Sequence, residues 1–168
     1  MKIRSFLVIF AMSSLLHSEE NFGIVVHGGA GVMSGLSEER QQQIHKKIQE
    51  TVSEAYEILE KGGSSLDAVE LAVSMLEDSP LFNAGRGSVY NSDEVQEMDA
   101  SIMDGKNRLT GAVASVSIVK NPIKLARKVA EETKHVLLVG EGAERFAKDI
   151  GVDIVKSCLL YTSDAADE

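Results

Sequence analysis

The sequence contains little cysteine and little proline, and both scarcities exclude classes of protein. Cys158 is the only cysteine in the chain of 168 residues, which excludes a scaffold held together by disulfides. Pro80 and Pro122 are the only prolines, so the chain has no proline-rich spacer. Hydrophobic residues make up 43% of the chain and charged residues 26%, which predicts an ordinary globular fold rather than a disordered chain.

Positive charge is also scarce. The chain has 17 Lys and Arg against 26 Asp and Glu, a formal net charge of −9. An acidic surface repels phosphate groups and no basic stripe is present, so we expect no nucleic-acid partner. No His, Cys and Asp cluster has the spacing of a transition-metal site, and no Gly-x-Ser-x-Gly nucleophile motif occurs.

The first 18 residues have the pattern of an export signal. Lys2 and Arg4 precede an apolar stretch at 6–16, and Ser18 is a small residue before the predicted cleavage point. The stretch is too short to cross a bilayer core of about 30 Å. We therefore expect an exported protein, periplasmic or secreted, with no membrane association. The alternative is a buried N-terminal strand or helix.

The other end of the chain departs from the pattern of the rest. Up to Val155 the sequence has helix and strand periodicity, whereas residues 156–168 resemble a translated sequencing adaptor. We interpret this stretch as a non-native tail, and the alternative is a natural acidic tail. Cys158 lies within it and is assigned no chemical role. Residues 19–155 are then one domain.

Between the ends, the periodicity predicts an α/β fold. Ser37 and Ser64 are expected to cap two helices, and Gly62 follows the first of them. A hairpin is expected at 97–119, turning at 104–105. Its second strand has small side chains, which suits a sheet covered on both faces. The predicted order is strand 23–27, helix from 38, helix from 65 to before Pro80, strands 97–103 and 111–119, helix from 122, strand 135–139 and a short helix after 140.

Two glycine-rich loops could carry chemistry. The loop 27–31 follows a predicted strand, and its glycines let the backbone approach a ligand or bind an anion through N–H groups. The alternative is a tight turn with His27 hydrogen-bonded in the core. In the loop 81–89, Asn83 could meet a polar substrate and curved backbone could point carbonyls at a monovalent cation. The alternative is a connection whose Asn83 satisfies its own loop.

A third segment, 99–105, contains two carboxylates that could suggest acid–base chemistry. Asp104 is better explained by the turn, and Asp99 by a structural role as a hydrogen-bond acceptor. At this stage neither is a candidate catalytic group.

Taken together, these segments resemble the N-terminal part of the plant-type L-asparaginase/isoaspartyl peptidase family. The resemblance covers about 22–155, and its specificity comes from the ordered succession of motifs rather than from one of them. The matching segments are His27–Gly31, Pro80–Gly85, Met98–Ala100, Met103–Gly105, Gly111–Ala114, Asn121–Pro122 and Gly140–Ala143.

The resemblance implies an N-terminal-nucleophile hydrolase with an αββα sandwich, of which this chain holds the incomplete α-subunit half. Family members are precursors that cut themselves and expose a threonine, whose α-amine acts as its base. They hydrolyse L-asparagine to aspartate and ammonia, and also isoaspartyl peptides. The partner implied is the β subunit of the same precursor, in an (αβ)2 assembly. Thr110 does not match the nucleophile motif, so we expect this chain alone to be inactive.

The resemblance also implies roles for particular residues. Asn83 corresponds to the family asparagine that supports the active site. A loop lining that site corresponds to His27, Gly28, Gly29, Ala30 and Gly31. No organic cofactor is implied, but a structural sodium ion is, held by the main-chain oxygens of Leu76, Glu77, Ser79, Phe82, Ala84 and Arg86.

Two rival interpretations remain open. A glycosylasparaginase shares the implied fold and threonine mechanism, although the sequence His27-Gly28-Gly29 favours the plant-type branch. A non-catalytic binding or assembly module, made of the α part alone, belongs to a different functional class.

Overall fold

A computed structural model describes residues 22–29 and 35–155 of the chain. The predicted export signal and tail lie outside the described residues, as do Ala30 and Gly31 of the first glycine loop. The elements are α1 (Glu38–Glu60), α2 (Ser65–Glu77), a short 3₁₀ turn (Gly85–Gly87), β1 (Met98–Met103), β2 (Thr110–Val116), α3 (Pro122–Glu132), β3 (Leu137–Val139) and α4 (Gly140–Ile150).

The strands form a mixed sheet of three strands in the order β1-β2-β3. β1 and β2 are antiparallel, as the hairpin prediction required, and β2 and β3 are parallel. The register shifts between Met98 and Ala100, where the Asp99 carboxylate accepts a hydrogen bond from the Ser115 N–H at 2.8 Å. The interpretation of Asp99 as a structural acceptor is confirmed. The α/β prediction is confirmed at the level of helices packed on a small mixed sheet.

Helices α3 and α4 cover one face of the sheet and form the main core with it. Leu125 and Val129 of α3 and Ala147 of α4 are fully buried in one apolar cluster with Val113 of β2. Gly111 allows the close approach, because a Cβ there would overlap the α3 backbone at Ala126. Among the described residues nothing comparable covers the opposite face. The expectation of cover on both faces is therefore not met by this part of the chain.

Helices α1 and α2 pack on each other and then on the rest of the molecule. Small buried residues, Ala55 from α1 and Ala68 and Ala72 from α2, form one cluster between them, and Ile44 of α1 and Leu76 of α2 belong to a second. Both predicted caps are confirmed: Ser37 accepts from the Arg40 N–H, and Ser64 forms a reciprocal capping box with Asp67. No helix in the described part of the chain is long and apolar enough to cross a membrane.

The predicted strand at 23–27 is wrong. The segment belongs to no helix or strand and makes no strand pairing within 22–29 and 35–155. Ile24 and Val26 are partly buried against the α1–α2 pair, whereas Val25 is 96% exposed. The β-branched alternation thus predicts which side chains face inward. It cannot supply the neighbouring backbone that a strand needs for its hydrogen bonds.

Candidate functional site

The structure brings the two glycine-rich loops together. Gly28 lies against Ile48 of α1 and Phe82 of the second loop: a Cβ on Gly28 would be 2.8 Å from Ile48 Cδ1 and 3.2 Å from Phe82 Cε1. Because Phe82 precedes Asn83, the two candidate segments lie side by side although more than fifty residues separate them in sequence. Glycine at 28 is what permits this contact.

His27 does not lie in the core. Its side chain is exposed, and its Nδ1 accepts a hydrogen bond from the Gly29 N–H at 3.2 Å. Gly29 has a φ of +106°, a conformation that L side chains rarely adopt. The alternative of a buried, hydrogen-bonded His27 is therefore wrong, because the side chain is hydrogen-bonded but exposed.

Asn83 is exposed, and its amide has a defined orientation. Its Oδ1 accepts a hydrogen bond from the Val89 N–H at 3.0 Å. An amide carries one acceptor oxygen and one donor nitrogen, so this bond assigns the oxygen to the loop and does not use Nδ2. The loop-satisfying alternative and a role in a site are therefore compatible, because they use different atoms of the same side chain.

The loop from Leu76 to Arg86 folds tightly on itself around two glycines. A Cβ on Gly85 would overlap the Glu77 carbonyl oxygen, and a Cβ on Gly87 would overlap that of Phe82. Three predicted sodium ligands already accept main-chain hydrogen bonds: the carbonyls of Leu76 (from Ser79, 3.1 Å), Phe82 (from Ala84, 2.8 Å) and Ala84 (from Gly87, 3.0 Å).

These bonds do not exclude a cation, because each carbonyl oxygen has a second lone pair. Neutral oxygen donors suit a hard monovalent ion. Transition metals are bound in proteins by Cys, His and carboxylate side chains, whereas the expected ligands here are main-chain carbonyls. Among the described residues no group of three or more His, Cys, Asp or Glu could hold a metal. The expected ligand set is thus chemically consistent with this loop.

Glu77 was expected to act only through its main-chain carbonyl, as a sodium ligand, but its side chain also caps the start of α3. Glu77 is 3% exposed, and its Oε1 accepts a hydrogen bond from the Ile123 N–H at 3.0 Å, at the start of α3. Asn121, the N-cap residue of α3, makes no capping bond of its own. Burial raises the pKa of Glu77 to about 7, and the hydrogen bond from the Ile123 N–H opposes that rise. The second carboxylate oxygen, Oε2, is buried and has no hydrogen-bond partner among the described residues. An acidic residue on the apolar face of a predicted helix was the available sequence signal.

Three polar side chains to which sequence reasoning gave no role hold the loop 81–89 that carries Asn83. Arg40 of α1 donates from Nη2 to the Pro80 carbonyl at 3.4 Å. The Ser88 hydroxyl donates to the Gly85 carbonyl at 2.6 Å, and Gln96 Nε2 donates to the Ser88 carbonyl at 2.5 Å. Sequence reasoning missed all three, because polar residues in long connections carry no periodicity.

A crevice of about 130 Å³ lies beside His27, between the segment 24–27 and α2. Apart from His27 its lining is made of aliphatic side chains such as Ile24, Val73 and Leu76. The amino-acid substrate that the resemblance implies would carry an ammonium and a carboxylate, which need charged partners. The described lining of this crevice offers none, so the crevice is not a complete substrate site.

Comparison with known proteins gives a consistent result. The chain matches the family model described as Asparaginase over residues 20–168. It is 53% identical to the isoaspartyl peptidase/L-asparaginase of Rattus norvegicus over 139 residues, covering 83% of this chain and 41% of that protein. It is 56% identical to the plant-type L-asparaginase of Pyrococcus furiosus over 128 residues, covering 76% and 41%. The chain therefore spans about two-fifths of the length of these relatives.

Proposed function

This chain belongs to the asparaginase family, and we propose that it is the N-terminal, α-subunit part of a precursor that hydrolyses L-asparagine and isoaspartyl dipeptides. The observation that carries the proposal is the contact of Gly28 with Phe82, which sets the first glycine loop beside Asn83. The relatives named isoaspartyl peptidase/L-asparaginase support the reaction class. The proposed architecture is one half of an αββα sandwich.

The proposed mechanism requires a threonine from the part of the precursor that follows this chain. Its hydroxyl, deprotonated by its own α-amine, attacks the side-chain amide carbon of asparagine. The C–N bond breaks as the nitrogen takes up a proton, and ammonia leaves. Water then cleaves the resulting ester and releases aspartate. With an isoaspartyl dipeptide, the leaving group is the amine of the second residue.

Asn83 is the residue of this chain that would act closest to the reacting atoms. Its Nδ2 is free of the bond that holds Oδ1, so it can donate to the nucleophile or to the negative charge that develops beside it. Its orientation is set before substrate arrives, which is the condition for effective electrostatic stabilisation. The glycine loop at 27–31 would line the same site through its backbone.

A sodium ion, if bound, would be held by the six carbonyls of the 76–86 loop and would supply charge to fix that loop. Asn83 lies within this loop, so the geometry of the loop determines the position of the Asn83 amide. The Glu77 side chain would also help to fix the loop, because its carboxyl accepts a hydrogen bond from the Ile123 N–H at the start of α3.

The β subunit is the proposed partner, within an (αβ)2 assembly of an exported enzyme. The open face of the sheet supports a partner, because Met103, Leu137 and Val139 are each at least half exposed there. Exposed apolar side chains grouped on a sheet face favour a covering layer. The substrate's charged groups would also need partners from that second half.

The test is to express the complete precursor from the natural reading frame and compare it with the 168-residue chain. The precursor should yield two chains and release ammonia from L-asparagine, whereas the shorter chain should release none above a heat-treated control. Asn83→Ala in the precursor should lower kcat or self-cleavage on the order of 10²–10³-fold. Turnover by an uncleaved precursor, or by the 168-residue chain, would contradict the mechanism. Glycosylasparagine as the preferred substrate would favour the glycosylasparaginase alternative.

A further inference from the structure

One peptide unit connects a buried side chain to the exposed Asn83. The carbonyl of Ser88 and the N–H of Val89 belong to the same planar, trans peptide, in which they point in opposite directions. Gln96 Nε2 donates to the carbonyl at 2.5 Å, and the N–H donates to Asn83 Oδ1 at 3.0 Å. Two side chains therefore hold the two ends of one rigid plane.

We infer that Gln96 is a positioning residue that orients the Asn83 amide through the Ser88–Val89 peptide, an inference that rests on the proposed role of Asn83. Rotation of this peptide would carry the Val89 N–H away from Asn83 and release its side chain. Gln96 prevents that rotation from the opposite end. Hydrogen bonds linked in series also polarise one another, which strengthens the bond at Asn83.

The difference in burial between Gln96 and Asn83 explains why Gln96 should position Asn83 and not the reverse. Gln96 and Ser88 are 4% and 8% exposed, whereas Asn83 and Val89 lie at the surface. The buried end is thus the fixed end. The Ser88 hydroxyl adds a second restraint, because it donates to the Gly85 carbonyl at 2.6 Å within the same loop.

The unpaired atom of Gln96 indicates that its donor is the important group. Its Oε1 is buried and has no hydrogen-bond partner within 22–29 and 35–155. A buried amide oxygen without a partner costs free energy that an apolar side chain would avoid. What Gln96 supplies in return, and an apolar side chain could not, is the N–H group on the Ser88 carbonyl.

The experiment uses the complete precursor with Gln96→Met, which keeps the length of the side chain but removes the donor. The matched control is Gln41→Met, because Gln41 also donates from Nε2 to a main-chain carbonyl, that of Leu36 at 2.9 Å. Gln96→Met should lower kcat on the order of 10-fold with little change in KM, less than direct loss of a preorganised donor. The control should leave both within about twofold of wild type.

A double-mutant cycle distinguishes positioning from general stability. In the Asn83→Ala background, Gln96→Met should have almost no further effect on kcat, because the group it orients is gone. Equal losses in both backgrounds would overturn the inference. Gln96→Glu, which puts an acceptor where the donor was, should reproduce the loss of kcat and is the second variant if Gln96→Met does not fold.

Hydrogen exchange at the Val89 amide provides a readout independent of turnover. Val89 is 63% exposed and lies outside the helices and strands, so protection of its N–H reports the bond to Asn83. Wild type should be protected and Gln96→Met should exchange faster, while Gln41→Met stays protected. An unprotected wild-type amide would refute the inference even if the precursor is active. A precursor without turnover but with this exchange pattern would refute the proposed function alone.

Discussion

Glu77 and Gly85 lie in direct contact, main chain against main chain. Gly85 has a φ of +51°, and a Cβ on it would overlap the carbonyl oxygen, Cα and Cβ of Glu77. The Glu77 side chain meanwhile reaches the Ile123 N–H at 3.0 Å. One residue thus holds the Asn83 loop by its backbone and α3 by its carboxyl. A substitution at Gly85 or at Glu77 should therefore affect both the loop that carries Asn83 and the start of α3.

Gly85→Ala is expected to destabilise the chain strongly. The left-handed backbone costs an L residue about 1–2 kcal/mol, and the overlap with Glu77 adds a further cost of about 1–3 kcal/mol. Gly62→Ala is the matched control, because Gly62 has a φ of +78° but nothing within 4 Å of its Cβ position. Urea denaturation should show a clearly larger loss for Gly85→Ala. Equal losses would mean that the contact with Glu77 is soft.

Glu77→Gln is expected to be neutral or stabilising, whereas Glu77→Ala should be destabilising. Glutamine keeps the acceptor for the Ile123 N–H and adds a donor for Asn121, whose Oδ1 is buried and unpaired among the described residues. It also removes a carboxyl whose ionised form is disfavoured by burial. Alanine leaves the first turn of α3 without its acceptor. Thermal unfolding of both variants checks this order, and a Gln variant as unstable as the Ala variant would contradict it.

The fold was predictable where a side-chain period and a cap coincide. Helix α2 illustrates this: Ser64 and Asp67 mark its start, and it ends at Glu77, before Pro80. Strand existence was less predictable, because it depends on a partner. Residues 23–27 have the composition of a strand but no pairing in the described part of the chain.

The site was predictable as residue types and not as contacts. The glycines at 28 and 85 indicated unusual backbone, and the structure shows what each one touches. Sequence could not indicate that Gln96 bonds to Ser88, because that bond depends on how an irregular loop folds. Side-chain periodicity indicates which residues of a helix or strand share a face, and it gives no such information for residues in irregular loops.

The stability of the α2–α3 contact should depend on acid pH through Asp67. The hydroxyl of Ser64 and then the guanidinium of Arg127 hold the pKa of Asp67 below its ordinary value. A carboxyl with a lowered folded-state pKa contributes stability above its unfolded pKa, which is about 4, and loses it as the pH falls through the folded value. Wild type should therefore lose more stability than Asp67→Asn on going from pH 6 to pH 3.

Urea midpoints at the two pH values measure this difference. Ser64→Ala removes the largest contribution to the lowered pKa, so it should weaken the acid dependence in the same direction. Arg127→Met should do so as well, since Arg127 Nη1 lies 2.8 Å from Asp67 Oδ1. If wild type and Asp67→Asn lost the same stability between pH 6 and pH 3, the Asp67 carboxyl would not be a source of the acid dependence.

A charged substitution on the open face of the sheet should improve the behaviour of the 168-residue chain and impair that of the complete precursor. Leu137 and Val139 of β3 are 50% and 53% exposed, whereas Leu138 between them packs on the core. Exposed apolar residues on a sheet promote association between chains. Val139→Lys should therefore make the 168-residue chain less prone to aggregate and lower its binding of a hydrophobic dye. In the complete precursor the same change should impair self-cleavage or assembly, because a lysine there would be buried against the second half.

Leu138→Lys is the control from the same strand. Leu138 is partly buried against the core, so a lysine there should destabilise the fold in both settings, because it places an unpaired charge against apolar side chains. Size-exclusion chromatography and dye binding measure the first setting, and the appearance of two chains measures the second. If Val139→Lys left the precursor's maturation and assembly unchanged, this face would be solvent-exposed in the whole protein. A covering β subunit would then have to lie elsewhere, and the case for a free-standing α module would gain accordingly.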